Sequence, residues 1–366
     1  MLKLSRDELL ESLGIGQKII ARNNALPILN NVKITSEDNG IITIIANNLE
    51  MEAITQCHSS IKKQMYFTVD GHKLLNICKS ILPGEDITFV MQDKDDKLNI
   101  KSRNSKFTLN TLPAMDFPSF EPAKDTNSFT ISSNMLKGML LDIESSMGRN
   151  DPRYYLNGAL IDIVNGTMRL IATDGHRLAK CEISGIDVPN LQAILPAKFV
   201  QITARDMPDN DDLVTVGLGE KTCYFQWGST TISTKLIDAK YPEYERVIPK
   251  NQTSIVQVDT KELLGIVARS LTLKSEKYFG IKLMFSPNNL QLEAISRDNE
   301  KFNDNIDIDY QGTDQYIGFN AEYIIDVLNA IHSPTVQLDF TDHTSSMTIL
   351  DPNDNTRLHV VMPMRL

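Results

Sequence analysis

The feature that most constrains the fold of this 366-residue chain is a weak threefold repeat. A helix pattern that follows a Ser or Asp cap recurs at spacings of 126 and 128 residues, in register at Leu10, Leu136 and Leu264. A second helix opening recurs at spacings of 126 and 124 residues, from Val69, Leu195 and Phe319. Shared spacings of this kind indicate three copies of a unit of about 125 residues, which is the size of a domain and too long for a solenoid repeat.

The segments that follow the strands repeat as well. Residues 112–120 and 236–244 share the pattern Leu-x4-Phe/Tyr-Pro-x-Phe/Tyr, 124 residues apart, and Ala-Asn-Asn at 46–48 precedes Ala-Thr-Asp at 172–174 by 126. Polar stretches at 121–127 and 249–253 are typical of short linkers. We therefore predict three domains, at residues 1–127, 128–253 and 254–366.

Strand-like alternation fills most of the remaining sequence. Residues 86–91 and 97–101 predict a hairpin with a charged tip, and residues 158–164 and 168–172 predict another around Asn165-Gly166-Thr167. Each copy then holds two helices and about eight strands, in the order typical of antiparallel sheets. The sequence therefore predicts an α+β fold with three similar domains per chain.

Charge and cysteine usage disfavour several classes of protein. The 37 Lys and Arg residues against 47 Asp and Glu give a net charge of −10, whereas proteins that coat nucleic acid usually carry a basic excess. The apolar runs are strand-sized, and the N-terminus carries acidic residues where a signal peptide needs its apolar stretch, so we expect no membrane segment. The cysteines are scattered without metal-ligand spacing, which predicts packing thiols in a reduced, cytoplasmic protein, at Cys57, Cys78, Cys181 and Cys223.

The predicted helices carry many basic residues at outward positions. These are Lys18, Arg22, Lys73, Lys79, Lys137, Lys198, Arg205, Arg269, Lys274 and Lys277. If the units closed into a ring with their helices inward, an acidic protein could still offer a positive bore to the phosphates of a duplex. Surface helices also carry Lys and Arg in the ordinary way, so the helices alone do not decide between the two interpretations.

Catalytic and metal-binding interpretations find little support. Asp174 and His176 form a tempting pair, but no nucleophile motif accompanies them, and the nearby Cys181 lies at a strand-like position. The acidic stretch 93–96 lacks the Gly and the closing Glu of a calcium loop and is more typical of a solvated turn, whereas the second acidic stretch, 298–309, could bind a divalent metal ion adventitiously. We predict no metal and no cofactor. An α+β enzyme at this hairpin and an open repeat scaffold remain the rival hypotheses.

Four long segments carry a specific resemblance. RYYLNG at 153–158, ATDGHRLA at 172–179, YPEYERVIP at 241–249 and VVMPMRL at 360–366 closely resemble the bacterial sliding-clamp family, the beta subunits of DNA polymerase III. The resemblance covers the whole chain. It implies the DNA clamp fold, with antiparallel sheets outside and two helices per domain inside, and no catalytic activity.

The same resemblance implies an assembly and its partners. A head-to-tail homodimer would close a six-domain ring around double-stranded DNA without reading its sequence, and would tether polymerase to it. The implied partners are a second copy of the chain, the DNA polymerase III catalytic subunit, a clamp loader, and other polymerases and repair proteins with a short clamp-binding motif.

The resemblance also implies a peptide-binding groove between the second and third units. Its residues would be Leu156, Thr173, Gly175, His176, Arg177, Leu178, Pro242, Arg246, Val247, Asn320, Tyr323, Ser346, Val360, Met362, Pro363, Met364 and Arg365. Aliphatic walls suit apolar anchors, methionines adapt to several partners, and we expect Arg and His at the rim for polar groups.

Two further surfaces are implied. DNA contacts would come from Arg22, Asn23, Lys73, Asn150, Tyr155 and Lys198. The joint between copies would use Lys73, Lys106, Phe107, Leu109, Leu271, Thr272, Leu273, Asp298, Glu300 and Asp304, with the lysines facing the acids. The chain departs from the family at Asn23, where Arg is usual, and at Lys301 and Asn303, where acids are usual. The apolar contact should dominate the joint, because exposed ion pairs contribute little.

Overall fold

The computed structural model describes residues 2–20, 26–59, 64–92, 97–120, 127–274 and 279–365. The helices are α1 (Arg6–Ile19), α2 (Gly71–Ser80), α3 (Ser133–Glu144), α4 (Ala197–Asp206), α5 (Thr260–Ser270) and α6 (Ala321–Ala330). The strands are β1 (Leu2–Ser5), β2 (Asn31–Ser36), β3 (Ile41–Asn47), β4 (Met51–His58), β5 (Met65–Asp70), β6 (Asp86–Gln92), β7 (Lys97–Ser102), β8 (Ser105–Leu112), β9 (Asn127–Ser132), β10 (Gly158–Val164), β11 (Thr167–Thr173), β12 (Arg177–Ser184), β13 (Leu191–Pro196), β14 (Leu213–Leu218), β15 (Thr222–Trp227), β16 (Thr230–Lys235), β17 (Ser254–Asp259), β18 (Gly280–Ser286), β19 (Asn289–Ile295), β20 (Lys301–Asp307), β21 (Gln315–Asn320), β22 (Thr335–Phe340), β23 (Met347–Asp351) and β24 (Asp354–Val361).

The helices begin where the repeats place them. Helices α1, α3 and α5 start at residues 6, 133 and 260, and helices α2, α4 and α6 start at 71, 197 and 321. Side-chain caps explain several of these starts, because a carboxylate or hydroxyl oxygen accepts a backbone N–H that has no partner inside the helix. Ser5 accepts from the N–H of Asp7 at 3.3 Å, and Asp259 accepts from Lys261 and Glu262.

Chain contacts divide the structure into two compact units. The first holds residues 1–136 and 202–236, and the second holds residues 137–201 and 237–366. Each unit is therefore assembled from more than one sequence repeat.

The first unit is built on one antiparallel sheet of twelve strands, in the order β1-β6-β7-β8-β5-β2-β3-β4-β16-β15-β14-β9. Alternate residues of its strands are buried, as in β3, where Ile42, Ile44 and Ala46 have little exposure. Strand β4 pairs with β16, so strands from the first and second repeats share this sheet.

The second unit holds a sheet of eight strands, β13-β10-β11-β12-β24-β23-β22-β17, and a sheet of four, β20-β19-β18-β21. Strand β12 pairs with β24, which again brings strands of two successive repeats together. The β10–β11 hairpin turns at Asn165 and Gly166, whose φ angles of 52° and 76° suit a tight hairpin turn. Thr167 belongs to the strand and not to the turn.

Tyr154 and Tyr155 occupy a 3-10 turn, Tyr154–Leu156, in which Tyr154 is exposed and Tyr155 is half-buried. The hairpin tip at 93–96 lies outside the described residues. Over the described ranges, none of the helices has the length and apolar character needed to cross a membrane.

Candidate functional site

A small apolar cluster in the second unit forms the floor of the candidate site. Its buried members are Leu160, Ile171, Leu178, Ile194, Tyr241, Tyr244 and Val360. Leu178 and Val360 face each other across the β12–β24 ladder. The Tyr241 hydroxyl accepts from the Thr173 N–H at 3.2 Å, and the Tyr244 hydroxyl donates to Asp162 at 3.1 Å. Both tyrosine hydroxyls have a hydrogen-bond partner, so the two rings can remain buried beneath an apolar surface.

Exposed apolar side chains lie close to members of this floor in the sequence. Val247 is 55 % exposed, Met362 48 % and Met364 36 %. Pro242 is also exposed, and Arg246 forms an exposed ion pair with Glu243 at 2.6 Å. Exposed apolar groups that adjoin an apolar floor are typical of a docking surface.

The C-terminal tail is held in place by backbone hydrogen bonds. The Met362 N–H donates to the His176 carbonyl at 2.9 Å, and the Met364 N–H donates to the Gly318 carbonyl at 2.7 Å. The first bond ties the tail to the β11–β12 turn and the second ties it to β21. Both methionine side chains therefore extend from a fixed backbone.

Glycine suits position 175 of the β11–β12 turn. Gly175 has a φ of 87°, and a Cβ there would come within 2.9 Å of the Arg153 guanidinium. Arg153 is itself fixed by two hydrogen bonds to Asp151, which lower the pKa of Asp151 to about 2. It also donates to the Asp174 carbonyl at 3.1 Å.

Arg177 is buried, which corrects the prediction that it lies at a rim. Only 8 % of the residue is exposed, and each end of its guanidinium has a partner. Nε donates to Asp174 at 3.2 Å, Nη1 donates to Asp326 at 2.6 Å, and Nη2 donates to the Ser145 carbonyl. The guanidinium carbon lies 4.4 Å from the centre of the Tyr323 ring. Arg177 therefore ties parts of the second unit together and is not free for a ligand.

The neighbouring His176 does lie at the surface. Its ring is exposed and stacks on Tyr323, with centroids 6.5 Å apart and an interplanar angle of 21°. Asp174 accepts from the N–H groups of His176 and Arg177 at 2.9 and 3.0 Å. Because the Asp174 carboxylate is committed to the turn and to Arg177, it does not form a catalytic pair with His176.

Other predicted groove residues take several roles. Asn320 is buried and caps α6, since its side chain accepts from the Glu322 N–H at 3.0 Å. Leu156 is buried, Ser346 and Pro363 are half-buried, and Arg365 is exposed. The structure thus brings Leu178, Val360, Met362 and the Tyr241 segment together, whereas Asn320 serves the helix.

Of the predicted DNA contacts, Lys73 and Lys198 are exposed on α2 and α4, each within its own unit. Partial burial lowers the pKa of Lys198. Asn150 is exposed with a φ of 54°, and Tyr155 is half-buried against the apolar floor cluster. Arg22 and Asn23 lie outside the described residues.

Several other helix cations are already paired. Lys18 pairs with Asp206, Arg269 pairs with Asp304 at 2.6 Å, and Lys274 pairs with Glu322 at 2.5 Å. These pairs reduce the positive charge that the helices offer, a feature that sequence patterning did not reveal.

The residues predicted for the joint lie on both units. In the first unit, Phe107 and Leu109 are half-buried on β8, and Lys106 is exposed. In the second unit, Leu271 and Leu273 lie in a 3-10 turn after α5 and pack against the C-terminal core.

The acids of the predicted joint differ from one another. Asp298 and Glu300 are exposed, as is Thr272 of the 3-10 turn. Asp304 accepts two hydrogen bonds from Arg269, which lower its pKa. Its pairing with Lys73 or Lys106 of a second copy stays a prediction. Across the described ranges, no three His, Cys, Asp or Glu residues are arranged to hold a metal ion.

Comparisons with known proteins cover the whole chain. Family models for the DNA polymerase III beta subunit match its N-terminal domain to residues 1–121, its central domain to 130–243 and its C-terminal domain to 245–365. The beta sliding clamp of Pseudomonas aeruginosa is 34 % identical over 367 residues, covering 99 % of each chain. That of Escherichia coli is 33 % identical over 369 residues, again covering 99 % of each chain.

Solved structures give the same result. A crystal structure of the Pseudomonas aeruginosa DNA polymerase III subunit beta has a TM-score of 0.95 at 33 % identity and covers 100 % of both chains. A sliding clamp from the same organism, bound to griselimycin, has a TM-score of 0.95 at 33 % identity and covers 100 % of this chain and 99 % of that one.

Proposed function

The chain belongs to the bacterial DNA polymerase III beta subunit family, the sliding clamps, and we propose that it performs their role through the groove and the exposed lysines described above. It has the three-domain clamp fold and is a non-catalytic processivity clamp of DNA polymerase. Its partners include DNA, polymerase and further copies of itself.

The observation that carries this proposal is the groove in the second unit. An apolar floor containing Leu178 and Val360 adjoins exposed Val247 and Met362, and the tail that bears Met362 is hydrogen-bonded to the β11–β12 turn. Burying two anchors such as a Leu and a Phe would contribute roughly 3–6 kcal/mol before ordering costs. The net affinity would then be roughly micromolar, which suits partners that must exchange on one clamp.

We assign the groove a set of partners that share a short apolar motif. These are the DNA polymerase III catalytic subunit, the clamp loader, and other polymerases and repair proteins. The exposed methionines Met362 and Met364 support this breadth, because unbranched flexible side chains can repack around different anchors.

Two copies would close head to tail into a ring. Its apolar contact would combine Phe107 and Leu109 of one copy with Leu271 and Leu273 of the other. Double-stranded DNA would pass through the hole beside Lys73, Asn150, Tyr155 and Lys198, and the protein would act in the cytoplasm. Weak, solvated contacts to phosphate let the ring slide, because retention comes from closure and not from adhesion. The domain boundaries at 127/128 and 253/254 remain part of this proposal.

Retention on circular DNA tests this function. The protein is loaded on nicked circular DNA by a clamp loader, isolated by gel filtration, and assayed again after the circle is cut once. We expect the clamp to remain on the circle and to leave the linear molecule. Equal retention on both would contradict threading and favour an open scaffold that adheres to DNA.

A further inference from the structure

The turn that carries His176 and Arg177 is held by a compact set of hydrogen bonds. Asp174 Oδ1 accepts from the N–H groups of His176 and Arg177, at 2.9 and 3.0 Å. Thr173 Oγ1 accepts from the N–H of Gly175 at 3.1 Å. These bonds satisfy the turn without using the guanidinium of Arg177.

The first repeat contains the same turn, 126 residues earlier. Asn48 Oδ1 accepts from the N–H groups of Glu50 and Met51, at 3.0 and 2.7 Å. Asn47 Oδ1 accepts from the N–H of Leu49 at 2.6 Å, and Leu49 has a φ of 74°. Both repeats therefore form this turn with the same pattern of side-chain to backbone hydrogen bonds.

The strand pairing beside the two turns is also repeated. In the first unit, the Lys235 N–H donates to the Glu50 carbonyl at 2.9 Å; in the second, the Met362 N–H donates to the His176 carbonyl at 2.9 Å. The chain thus contains the same turn and the same adjoining backbone bond twice, and the copy in the second unit is the one next to the apolar floor described above.

The side chains of the two turns differ, and the difference that bears on Arg177 is that the first repeat has Met51 at the same position, with both residues buried. Since the turn forms with a methionine, it does not need the arginine. Besides its Nε bond to Asp174 in the turn, Arg177 contacts other elements of the second unit: the Ser145 carbonyl after α3, the Asp326 carboxylate on α6, and the face of Tyr323.

We propose that Arg177 and Asp326 are positioning residues that hold Tyr323 and His176 in the arrangement that receives a docked peptide. Tyr323 and Asp326 are three residues apart on α6 and so share one face of the helix. Asp326 fixes the guanidinium at 2.6 Å, the guanidinium supports the Tyr323 ring at 4.4 Å, and His176 stacks on that ring. Only the fork of an arginine can serve these partners together, because a lysine amine is a single point.

The effect on docking follows from pre-organisation. Without Arg177, the Tyr323 and His176 rings would sample other rotamers, and a peptide would have to order them on binding. This inference rests on the proposed function of the groove, and it adds Asp326, which the sequence analysis did not identify, to the residues on which docking depends.

The test uses the full-length chain and a fluorescein-labelled nonapeptide whose only large apolar side chains are one Leu and one Phe. Arg177→Met gives the second repeat the residue that the first repeat has at this position. Asp326→Asn removes the negative charge of the side chain but keeps its shape. Glu182→Gln is the matched control, since it weakens the Arg169–Glu182 pair, at 3.2 Å, on the same β11–β12 hairpin. Fluorescence anisotropy measures affinity, and the ring signals of His176 in an NMR spectrum report its stacking on Tyr323.

We expect Arg177→Met and Asp326→Asn to weaken binding about tenfold or more and to shift the His176 signals, while Glu182→Gln matches the wild type. Asp326→Glu, which restores the charge, should recover most of the affinity. If Arg177→Met does not fold, Asp326→Asn decides the question.

Wild-type affinity and unmoved His176 signals in Asp326→Asn would overturn the assignment. If the wild-type chain itself does not bind the nonapeptide, the groove proposal fails, and the His176 signals alone decide whether Arg177 and Asp326 position the rings. The failure of one proposal is therefore distinguishable from the failure of the other.

Discussion

Replacing Val247 with Asp is the most direct perturbation of the groove. Val247 is 55 % exposed in the free chain, so the substitution can be accommodated without a buried charge. A docked apolar side chain would cover that exposed half. The variant should therefore fold normally and lose affinity only when a partner binds.

The size of the loss can be worked out from this exposure. Full burial of a valine side chain contributes about 1.5–3 kcal/mol, so covering the exposed half of Val247 contributes about 1 kcal/mol. Placing a carboxylate against the same ligand adds a desolvation cost of about 2 kcal/mol or more. A total of about 3 kcal/mol corresponds to roughly a hundredfold weaker binding.

The assay is titration of the labelled nonapeptide, with polymerase stimulation on primed DNA as a second readout. Ile255→Asp is the matched control, because Ile255 is also an aliphatic β-branched residue, is 60 % exposed, and lies on β17 outside the proposed groove. A loss of less than threefold for Val247→Asp, or an equal loss for Ile255→Asp, would refute the reasoning.

Three further outcomes are expected. Leu273→Asp should give monomers by light scattering, because it places a charge in the apolar contact between copies. An unchanged dimer mass would place the joint elsewhere. Leu273 is half-buried, so a melting curve checks that the variant still folds. Deleting residues 362–366 should abolish polymerase stimulation and leave the dimer intact, since it removes the tail bonded to His176 and Gly318; loss of the dimer would contradict the groove assignment. Burial raises the pKa of the Asp142 carboxyl from 3.8 to about 6, so the folded protein loses stability as the pH rises between these values and the carboxyl ionises. Asp142→Asn removes this cost, so its free energy of unfolding should exceed that of the wild type by about 3 kcal/mol above pH 6.5 and by little below pH 4. His359 has the opposite effect, because burial lowers its pKa from 6.5 to about 4 and the folded protein therefore becomes more stable as the pH rises between these values. Urea denaturation of Asp142→Asn should show this rise, since Asp142 no longer opposes it. An Asp142→Asn variant no more stable than the wild type at pH 7.5 would contradict the argument.

Much of the fold follows from local sequence signals. Caps such as Ser5 and Asp259, strand alternation such as that of β3, and the Asn165-Gly166 turn act over a few residues, so they can be recognised without tertiary information. The threefold spacing then places these elements in order. What it does not show is that each compact unit takes strands from successive repeats.

The site was predicted less completely. Arg177 was expected at a rim, because a charged residue is usually exposed. Two partners within the chain were not foreseen: Asp326 of Arg177 and Arg269 of Asp304. They lie 149 and 35 residues away in the chain, where no local pattern can identify them.

The sequence by itself determined the repeat, the type and position of the secondary-structure elements, and the segments that carry the family resemblance, because these depend on neighbouring residues and fixed periods. Only the tertiary structure decided which polar side chains form hydrogen bonds within the chain: Asn320 caps a helix, Arg177 binds Asp326, and Asp304 binds Arg269. The physical reason is that desolvation and hydrogen bonding depend on which distant groups come within about 3 Å, and that distance exists only once the chain has folded.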